Sequence, residues 1–388
     1  MICRTAARSL ALAALVSLSA CGGSKSSPSD TPDAPAPPPG GLPIESFTAQ
    51  DGAKFGVQVL LTNLQIPWAM AFAPDGRLFF TERPGRVRIY QNGQLLTAPA
   101  LTLDDVNTTG ESGAMGLALH PDFATNHYVY LSYTANGPAG TVNRVMRYRE
   151  LNNQLAEGIV ILDNVRGAQI HNGSRVKFGP DRLLYVTFGD SSVSSLAQDV
   201  ASLNGKILRM NDDGTSASGN RFSSPVYTYG HRNPQGLAWH PTTGDLWEDE
   251  HGQVGNDEIN VIDGGNNYGW PVIEANATMP GMVTPLIFFT PSVAPSGSSF
   301  YTGTALPLFR NQLFIATLAA QALLRVTIDG AGFRHIAGVE RLLPNKYGRL
   351  RDVVQGPDGF LYVSTSNRDG RATPVAEDDR ILRIVPVS

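Results

Sequence analysis

Pro357-Asp358-Gly359-Phe360-Leu361-Tyr362-Val363, followed by Arg380-Ile381-Leu382-Arg383-Ile384, decides the fold. A Pro-Asp-Gly turn feeds a strand of alternating aromatic and aliphatic residues, and after a loop a second strand ends in an Arg-aliphatic pair. Related units recur upstream. Pro74-Asp75-Gly76-Arg77-Leu78-Phe79-Phe80 leads to Val87-Arg88-Ile89, and Pro121-Asp122 leads to Tyr128-Val129-Tyr130-Leu131 and Val145-Met146-Arg147-Tyr148. Pro180-Asp181-Arg182-Leu183-Leu184-Tyr185-Val186 leads to Ile207-Leu208-Arg209, and Pro241-Thr242-Thr243-Gly244-Asp245-Leu246-Trp247 to Glu258-Ile259-Asn260-Val261. Arg310-Asn311-Gln312-Leu313-Phe314-Ile315 with Leu323-Leu324-Arg325-Val326 completes the set. The spacing of roughly 45 to 70 residues suits blades of about four strands with loop insertions. An open pair of packed sheets would not explain the repeated turn-strand-strand unit. Six such units closed into a ring leave no long edge strand unpaired. The expectation is an all-β, six-bladed β-propeller whose loops converge at one end of a central channel.

Composition agrees with that reading. The 388 residues include 40 Gly and 27 Pro, and no long stretch carries apolar residues at helical spacing. A formal net charge of −4 argues against a nucleic-acid partner, which would want a basic face. No P-loop or Rossmann glycine pattern follows a strand and opens a helix, so a nucleotide cofactor is disfavoured. The seven histidines show no zinc-ligand spacing.

The N-terminus reads as an export signal over residues 1–20. Arg4 and Arg8 give a positive start, and the apolar run from Leu10 to Ala20 is too short to span a bilayer. It closes on Leu18-Ser19-Ala20-Cys21-Gly22, the pattern at which a bacterial lipoprotein is cut and acylated on the new terminal cysteine. An ordinary signal peptide with a coincidental cysteine is the plainer alternative. Residues 21–46 are then an acylated Cys21 and a Pro/Ser-rich tether with little to bury, and 47–388 the propeller. The expected location is the periplasmic side, anchored by lipid alone, at the outer membrane because Gly22 rather than Asp follows the cysteine. Cys3 and Cys21 are the only cysteines, so the mature fold is expected to lack a disulfide.

Three segments are polar in ways that folding alone does not require. Ile170-His171-Asn172-Gly173-Ser174-Arg175 precedes a strand that ends Phe188-Gly189-Asp190. A histidine is easily poised as a base near neutral pH, and a carboxylate at the far end of the strand would hold its ring. By itself, a loop histidine is more often a hydrogen-bonding surface group. Tyr229-Gly230-His231-Arg232-Asn233-Pro234-Gln235-Gly236 offers in Arg232 a planar charged fork suited to anions, or equally to loop carbonyls. Glu248-Asp249-Glu250-His251-Gly252, Gly255-Asn256-Asp257-Glu258 and Gly264-Gly265-Asn266-Asn267-Tyr268-Gly269-Trp270-Pro271 are oxygen-rich loops of a kind that suits Ca2+, although such loops often bind nothing.

Taken together, several stretches resemble the soluble quinoprotein glucose and aldose sugar dehydrogenases. They are Gly116-Leu117-Ala118-Leu119-His120-Pro121-Asp122-Phe123, Gly230-His231-Arg232-Asn233-Pro234-Gln235-Gly236-Leu237, Asp257-Glu258-Ile259-Asn260 with Asn267-Tyr268-Gly269-Trp270-Pro271, and Gly348-Arg349-Leu350-Arg351-Asp352-Val353. The resemblance implies oxidation of a sugar's anomeric hydroxyl to a lactone, hydride passing to pyrroloquinoline quinone (PQQ) and electrons to an external acceptor. It implies His171 as the base, Asp190 as its orienting carboxylate, and Arg232 and Asn233 beside the quinone carbonyls. Arg349 and Arg351 resemble the clamp on the cofactor's carboxylates. Gly252 and Gln253 fall where backbone carbonyls hold the cofactor's Ca2+, while Glu258 and the Tyr268 main chain resemble ligands of a second Ca2+.

The sequence departs from the family pattern in three places. Ala319, in Leu318-Ala319-Ala320, stands where familiar members carry a cofactor-supporting lysine. Glu111 stands where they carry a cofactor-contacting glutamine, and Gln253 where they carry a proline. Two other readings remain open on the sequence. One is a tethered propeller that binds a glycan or protein without turnover. The other is a Ca2+-assisted lactonase, which would want carboxylates rather than arginines at the channel mouth.

Overall fold

The computed structural model describes residues 44–138 and 140–387. The signal segment, Cys21 and most of the tether lie outside the described residues. Six antiparallel sheets follow one another along the chain. Blade 1 is built from Pro67–Phe72, Leu78–Glu82, Arg86–Gln91 and Gln94–Leu95. Blade 2 uses Ala114–Leu119, Tyr128–Gly137, Gly140–Leu151 and Gln154–Arg166, and blade 3 uses Val176–Phe178, Leu184–Phe188, Lys206–Met210 and Val226–Tyr229. Blade 4 comprises Pro234–Trp239, Leu246–Glu250, Asp257–Ile262 and Ile287–Phe289; blade 5 comprises Pro295–Phe300, Leu313–Thr317, Ala322–Asp329 and His335–Leu342. Blade 6 takes Leu350–Gln355, Leu361–Thr365 and Ile381–Val385 from the C-terminal end of the chain, and Lys54–Leu61 and Glu45–Thr48 from the N-terminal side. The repeated sequence unit therefore corresponds to the second and third strands of every blade. Among the described residues no helix is long and apolar enough to cross a membrane.

The turn in the deciding stretch has a clear local cause. Gly359 N donates to Gly356 O (3.0 Å), with Pro357 and Asp358 at the turn's centre and Gly359 at φ +76°. This is a three-residue hairpin loop closed by a left-handed residue, the place where glycine is least strained. Asp358 Oδ1 accepts Phe360 N (3.2 Å), and Oδ2 accepts the Tyr362 hydroxyl (2.8 Å). Blade 3 repeats this with Asp181, which accepts Leu183 N (3.2 Å) and the Tyr185 hydroxyl (2.9 Å). The recurring arginine of the third strand completes the corner: Arg209 Nε donates to Asp181 (2.9 Å), and Arg383 lies 3.6 Å from Asp358.

Each of the six junctions between neighbouring blades has its own apolar cluster. Phe79, Leu117 and Leu131 fill the space between blades 1 and 2, for example, and Phe314, Leu350 and Val363 that between blades 5 and 6. Hydroxyls on the second strands add a polar tie at three junctions. Thr187 Oγ1 accepts Arg175 N from its own blade (3.0 Å) and donates to Pro234 O of the next (2.8 Å). Thr81 does the same between Ala69 N (3.1 Å) and Met115 O (2.7 Å). Ser364 donates to Pro67 O (2.9 Å), joining blade 6 to blade 1. The ring closes where Gly56, Val57, Gln58 and Val59 pair with Val385, Ile384, Arg383 and Leu382.

Replacing Thr187 by Val keeps the volume but strands a buried N–H and a buried carbonyl, each costing about 1–3 kcal/mol. We expect Thr187→Val to lose about 2–4 kcal/mol in urea unfolding, against under about 1 kcal/mol for Thr187→Ser. Equal stability of the two variants would show that the hydroxyl tie is dispensable.

Candidate active site

Two positions in each blade open onto the same end of the channel. In an antiparallel hairpin the start of the first strand and the end of the second lie side by side. His171 and Asn172 precede the first strand of blade 3, Arg232 and Asn233 that of blade 4, Glu111 that of blade 2 and Arg349 that of blade 6. Asp190, His251, Leu318, Asp369 and Arg83 follow the second strands of blades 3, 4, 5, 6 and 1. One mouth thus collects side chains that are far apart in sequence.

At the centre, His171 Nδ1 meets Asp190 Oδ1 at 2.8 Å, with the aspartate buried and the histidine 13% exposed at its side chain. A carboxylate accepts, so Nδ1 carries the proton of this bond, and in the neutral ring Nε2 is then the nitrogen with the lone pair. Asp190 is itself fixed: Trp270 Nε1 donates to Oδ2 (2.9 Å) and Ser192 N to Oδ1 (2.8 Å). The backbone here is strained, with His171 at φ +61°, Ser191 at +49° and Ser192 at +61°. Gly189 permits the close approach, because a Cβ there would lie 2.2 Å from His171 O. His171, Asp190, Arg232, Gln253 and Trp270 line an open cleft of about 830 Å3 that runs on to Phe288.

Arg232 lies over the Trp270 ring at 5.3 Å. Its Nη1 donates to His251 O (3.1 Å), so it does bond a loop carbonyl, while its buried Nε has no partner. Burial pushes its guanidinium down, against the pull of Asp190 and Glu250. Asn233 Oδ1 accepts Gly173 N (3.0 Å), tying the histidine loop to blade 4, and its buried Nδ2 is likewise without a partner. Arg349 Nε donates to Asp369 (2.9 Å) and its Nη1 to Leu318 O (3.2 Å). Arg351 reaches Gln235 Oε1 (3.0 Å) and lies 3.6 Å from Asp369; burial pushes its guanidinium down to about 9, still cationic at neutral pH.

Glu111 is neither turned away nor neutral. Its carboxylate meets Arg371 at 2.8 Å and accepts His171 N at 3.3 Å. Burial works to raise its pKa, yet His251 and Arg371 prevail and hold it below the ordinary glutamate value. Ala319 is exposed at the rim and brings no charge.

Behind the cleft sits an acidic cavity of about 10 Å3, room for one water or ion, lined among others by Glu250, Gly252, Glu258, Tyr268 and Glu274. Burial, then repulsion from Glu250, pushes Glu258 up to about 8. Glu274 Oε1 is buried without a partner. The Tyr268 hydroxyl donates to Val261 O (2.8 Å) and its main-chain N–H to Tyr229 O (2.8 Å), which leaves its carbonyl as the group a ligand could use. His231, Glu248 and Glu250 form a neighbouring buried group whose ligand atoms lie within 4.8 Å of one another. Crowded carboxylates with unsatisfied oxygens suit a hard cation.

The site residues read from the sequence therefore form two adjoining groups, one around His171 and one around Arg351, with the acidic cavity beside them. Sequence reasoning gave no role to Trp270, Arg83, Arg371, Asp369, His251 or Glu274. Four of these, Arg83, His251, Asp369 and Arg371, lie just beyond the end of a second strand, and that placement was the available signal.

A family model described as glucose/sorbosone dehydrogenase matches residues 64–377. The chain belongs to that family. It is therefore an oxidoreductase, with the sugar dehydrogenases as its kin. It is 32% identical over 349 residues to the aldose sugar dehydrogenase YliI of Escherichia coli K12, covering 84% of this chain and 93% of that one. Against quinoprotein glucose dehydrogenase B of Acinetobacter calcoaceticus the identity is 28% over 438 residues, covering 87% and 90%. The PQQ-bound aldose sugar dehydrogenase of Streptomyces coelicolor superposes with a TM-score of 0.77 at 36% identity, covering 86% of this chain and 98% of that one.

Proposed function

We propose that the enzyme oxidises an aldose at the anomeric hydroxyl to the lactone, using PQQ and Ca2+ and passing electrons to an external acceptor. The observation that carries this reading is His171, held by Asp190 through Nδ1, on the wall of a large cleft beside an arginine-lined cavity. The donor set fits the cofactor. Arg232 Nε and Asn233 Nδ2 are buried donors without a partner, and the adjoining cavity has more arginines than carboxylates. An arginine-lined mouth also argues against the lactonase reading.

When bound, PQQ supplies a two-electron acceptor for the hydride that leaves C1 of the sugar. His171 Nε2 takes the proton of the C1 hydroxyl, and the Asp190 carboxylate stabilises the imidazolium that forms. Trp270 keeps Asp190 from rotating and supports Arg232, whose charge favours the electron-rich form of a ligand lying against it. Arg349 and Arg351 would hold carboxylates, with the carbonyls of Gly252 and Gln253 on a Ca2+ at the cofactor. A second Ca2+ would sit among Glu258, Glu274 and the Tyr268 main chain. Upstream, an acylated Cys21 would tether the enzyme on the periplasmic side, at the outer membrane.

Apo-protein reconstituted with PQQ and Ca2+ should oxidise members of an aldose panel in a dye-linked assay. His171→Ala should lower kcat by 10²-fold or more, the usual scale of a general base. A reconstituted enzyme indifferent to that change would overturn the assignment. Millimolar Ca2+ added to chelator-treated protein should raise Tm by several degrees, since a ligand at 100 times its Kd adds about 2.7 kcal/mol. Glu258→Gln should abolish that increase, and an undiminished rise would place the cation elsewhere. Cys21→Ser should move the protein from the membrane to the soluble fraction; if the unsubstituted protein is itself soluble, the anchor is refuted.

A further inference from the structure

The cavity beside the catalytic histidine is lined by four arginines, Arg83, Arg349, Arg351 and Arg371, and by two carboxylates, Glu111 and Asp369. Three of the arginines have ion-pair partners. Arg349 and Arg351 face Asp369 at 2.9 and 3.6 Å, and Arg371 meets Glu111 at 2.8 Å. Arg83 differs. It is only 8% exposed, yet among the described residues its guanidinium has no hydrogen bond and no ion pair. Its main chain is fixed at the junction of blades 1 and 2, where Arg83 N donates to Ile66 O (3.1 Å) and Ala114 N to Arg83 O (2.9 Å). The side chain is therefore delivered to the cavity by a well-anchored backbone.

Such a placement is costly on its own terms. A guanidinium carries five donors, and burying it with none of them bonded is unfavourable. Burial pushes Arg83 down; Asp369 and Glu111 attract it without forming an ion pair, and its charge works against that of Arg351. Glu111 and Asp369 are already committed, so the cavity keeps two more cations than carboxylates. Leu318 lines the same cavity, and the exposed Ala319 follows it in the chain.

We propose that Arg83 is an anion-binding residue of the cofactor seat, engaging a carboxylate of the bound ligand together with Arg349 and Arg351 and supplying the cation that Ala319 does not. This rests on the PQQ reading above. Arg371, half exposed, answers the charge of Glu111, so that carboxylate does not repel the ligand.

The test is titration of the full-length apo-protein with PQQ in the presence of Ca2+, followed by quenching of tryptophan fluorescence. Arg83→Met should weaken the Kd ten- to a hundred-fold while the Tm of the apo-protein stays level or rises, because an unpaired buried charge has gone. A purely structural arginine would instead lower Tm and leave the Kd unchanged. Adding Ala319→Lys to Arg83→Met should recover most of the lost affinity. If the unsubstituted protein binds PQQ and Arg83→Met binds it equally well, the role of Arg83 is refuted while the function stands. If the unsubstituted protein binds no PQQ, the functional reading falls and the role of Arg83 with it. Should Arg83→Met not fold, Ala319→Lys alone decides. The exposed rim tolerates it, and with Arg83 already in place it should change the Kd less than three-fold. A tightening of three-fold or more would mean that the seat lacks a cation and would overturn the proposal.

Discussion

A ring of sheets holds together only if its two ends meet, and here the pairing of Gly56–Val59 with Leu382–Val385 makes them meet. Everything at the channel mouth depends on that closure. Arg349 and Arg351 enter on blade 6, whose outer strands come from the N-terminal side of the chain, while Arg83 arrives from blade 1. Ser364 on blade 6 bonds Pro67 O on blade 1 across the same seam, and Asp352 on blade 6 accepts Met70 N (2.9 Å). Opening that pairing would split blade 6 itself and release Arg349 and Arg351, which sit at its C-terminal strands, from Arg83.

The apolar clusters lie between blades rather than within them, so each blade depends on both neighbours for its core. That arrangement carries a mouth that is costly to fold. Arg83, Arg351, Glu248 and Glu258 are buried, and burial acts against the charged form of each. A small domain would not support so many unfavourable placements, whereas six interlocked junctions do. His171, Ser191 and Ser192 are held at positive φ as well, a conformation the described chain also adopts at many turns away from the mouth.

The blade repeat was readable in the sequence because turn chemistry and side-chain alternation are local. Asp358 and Tyr362 are four residues apart and bond each other, so the motif records its own geometry. The ring-closing strand Lys54–Leu61 was not readable, because its partner lies more than 300 residues away. Arg232 and Asn233 were conspicuous inside a continuous polar motif. Arg83 was not, because Thr81-Glu82-Arg83-Pro84-Gly85 looks like an ordinary charged turn. Only the rule that second-strand ends share the mouth separates Arg83 from the arginines of the outer face, such as Arg182 and Arg334. The departures at Glu111 and Ala319 likewise looked like losses in sequence, since the arginines facing that cavity come from other blades.

The two cavities at the mouth differ in their balance of charge, although Glu111 and Asp369 also line the arginine cavity and Arg232 the acidic one. Glu250, Glu258 and Glu274 crowd one cavity and four arginines another, and His251 lines both. On the reading proposed above, a cation in the first lowers the repulsion among its carboxylates, and an anion in the second does the same for the guanidiniums. The ligands act on a shared wall. His251 Nε2 faces Pro295 O at 2.7 Å, and the His251 carbonyl receives Arg232 Nη1. On that reading, a shift of this segment would also move Arg232, which lines the acidic cavity and the open cleft. Coupling of this kind is reciprocal: whatever Ca2+ adds to the affinity for an anion, the anion must add to the affinity for Ca2+. His171 is joined to the same walls, because Glu111 accepts its N–H and Trp270, which fixes Asp190, also lies under Arg232 and lines the acidic cavity. On the reading proposed above, cofactor retention and proton transfer would therefore share contacts on one rim.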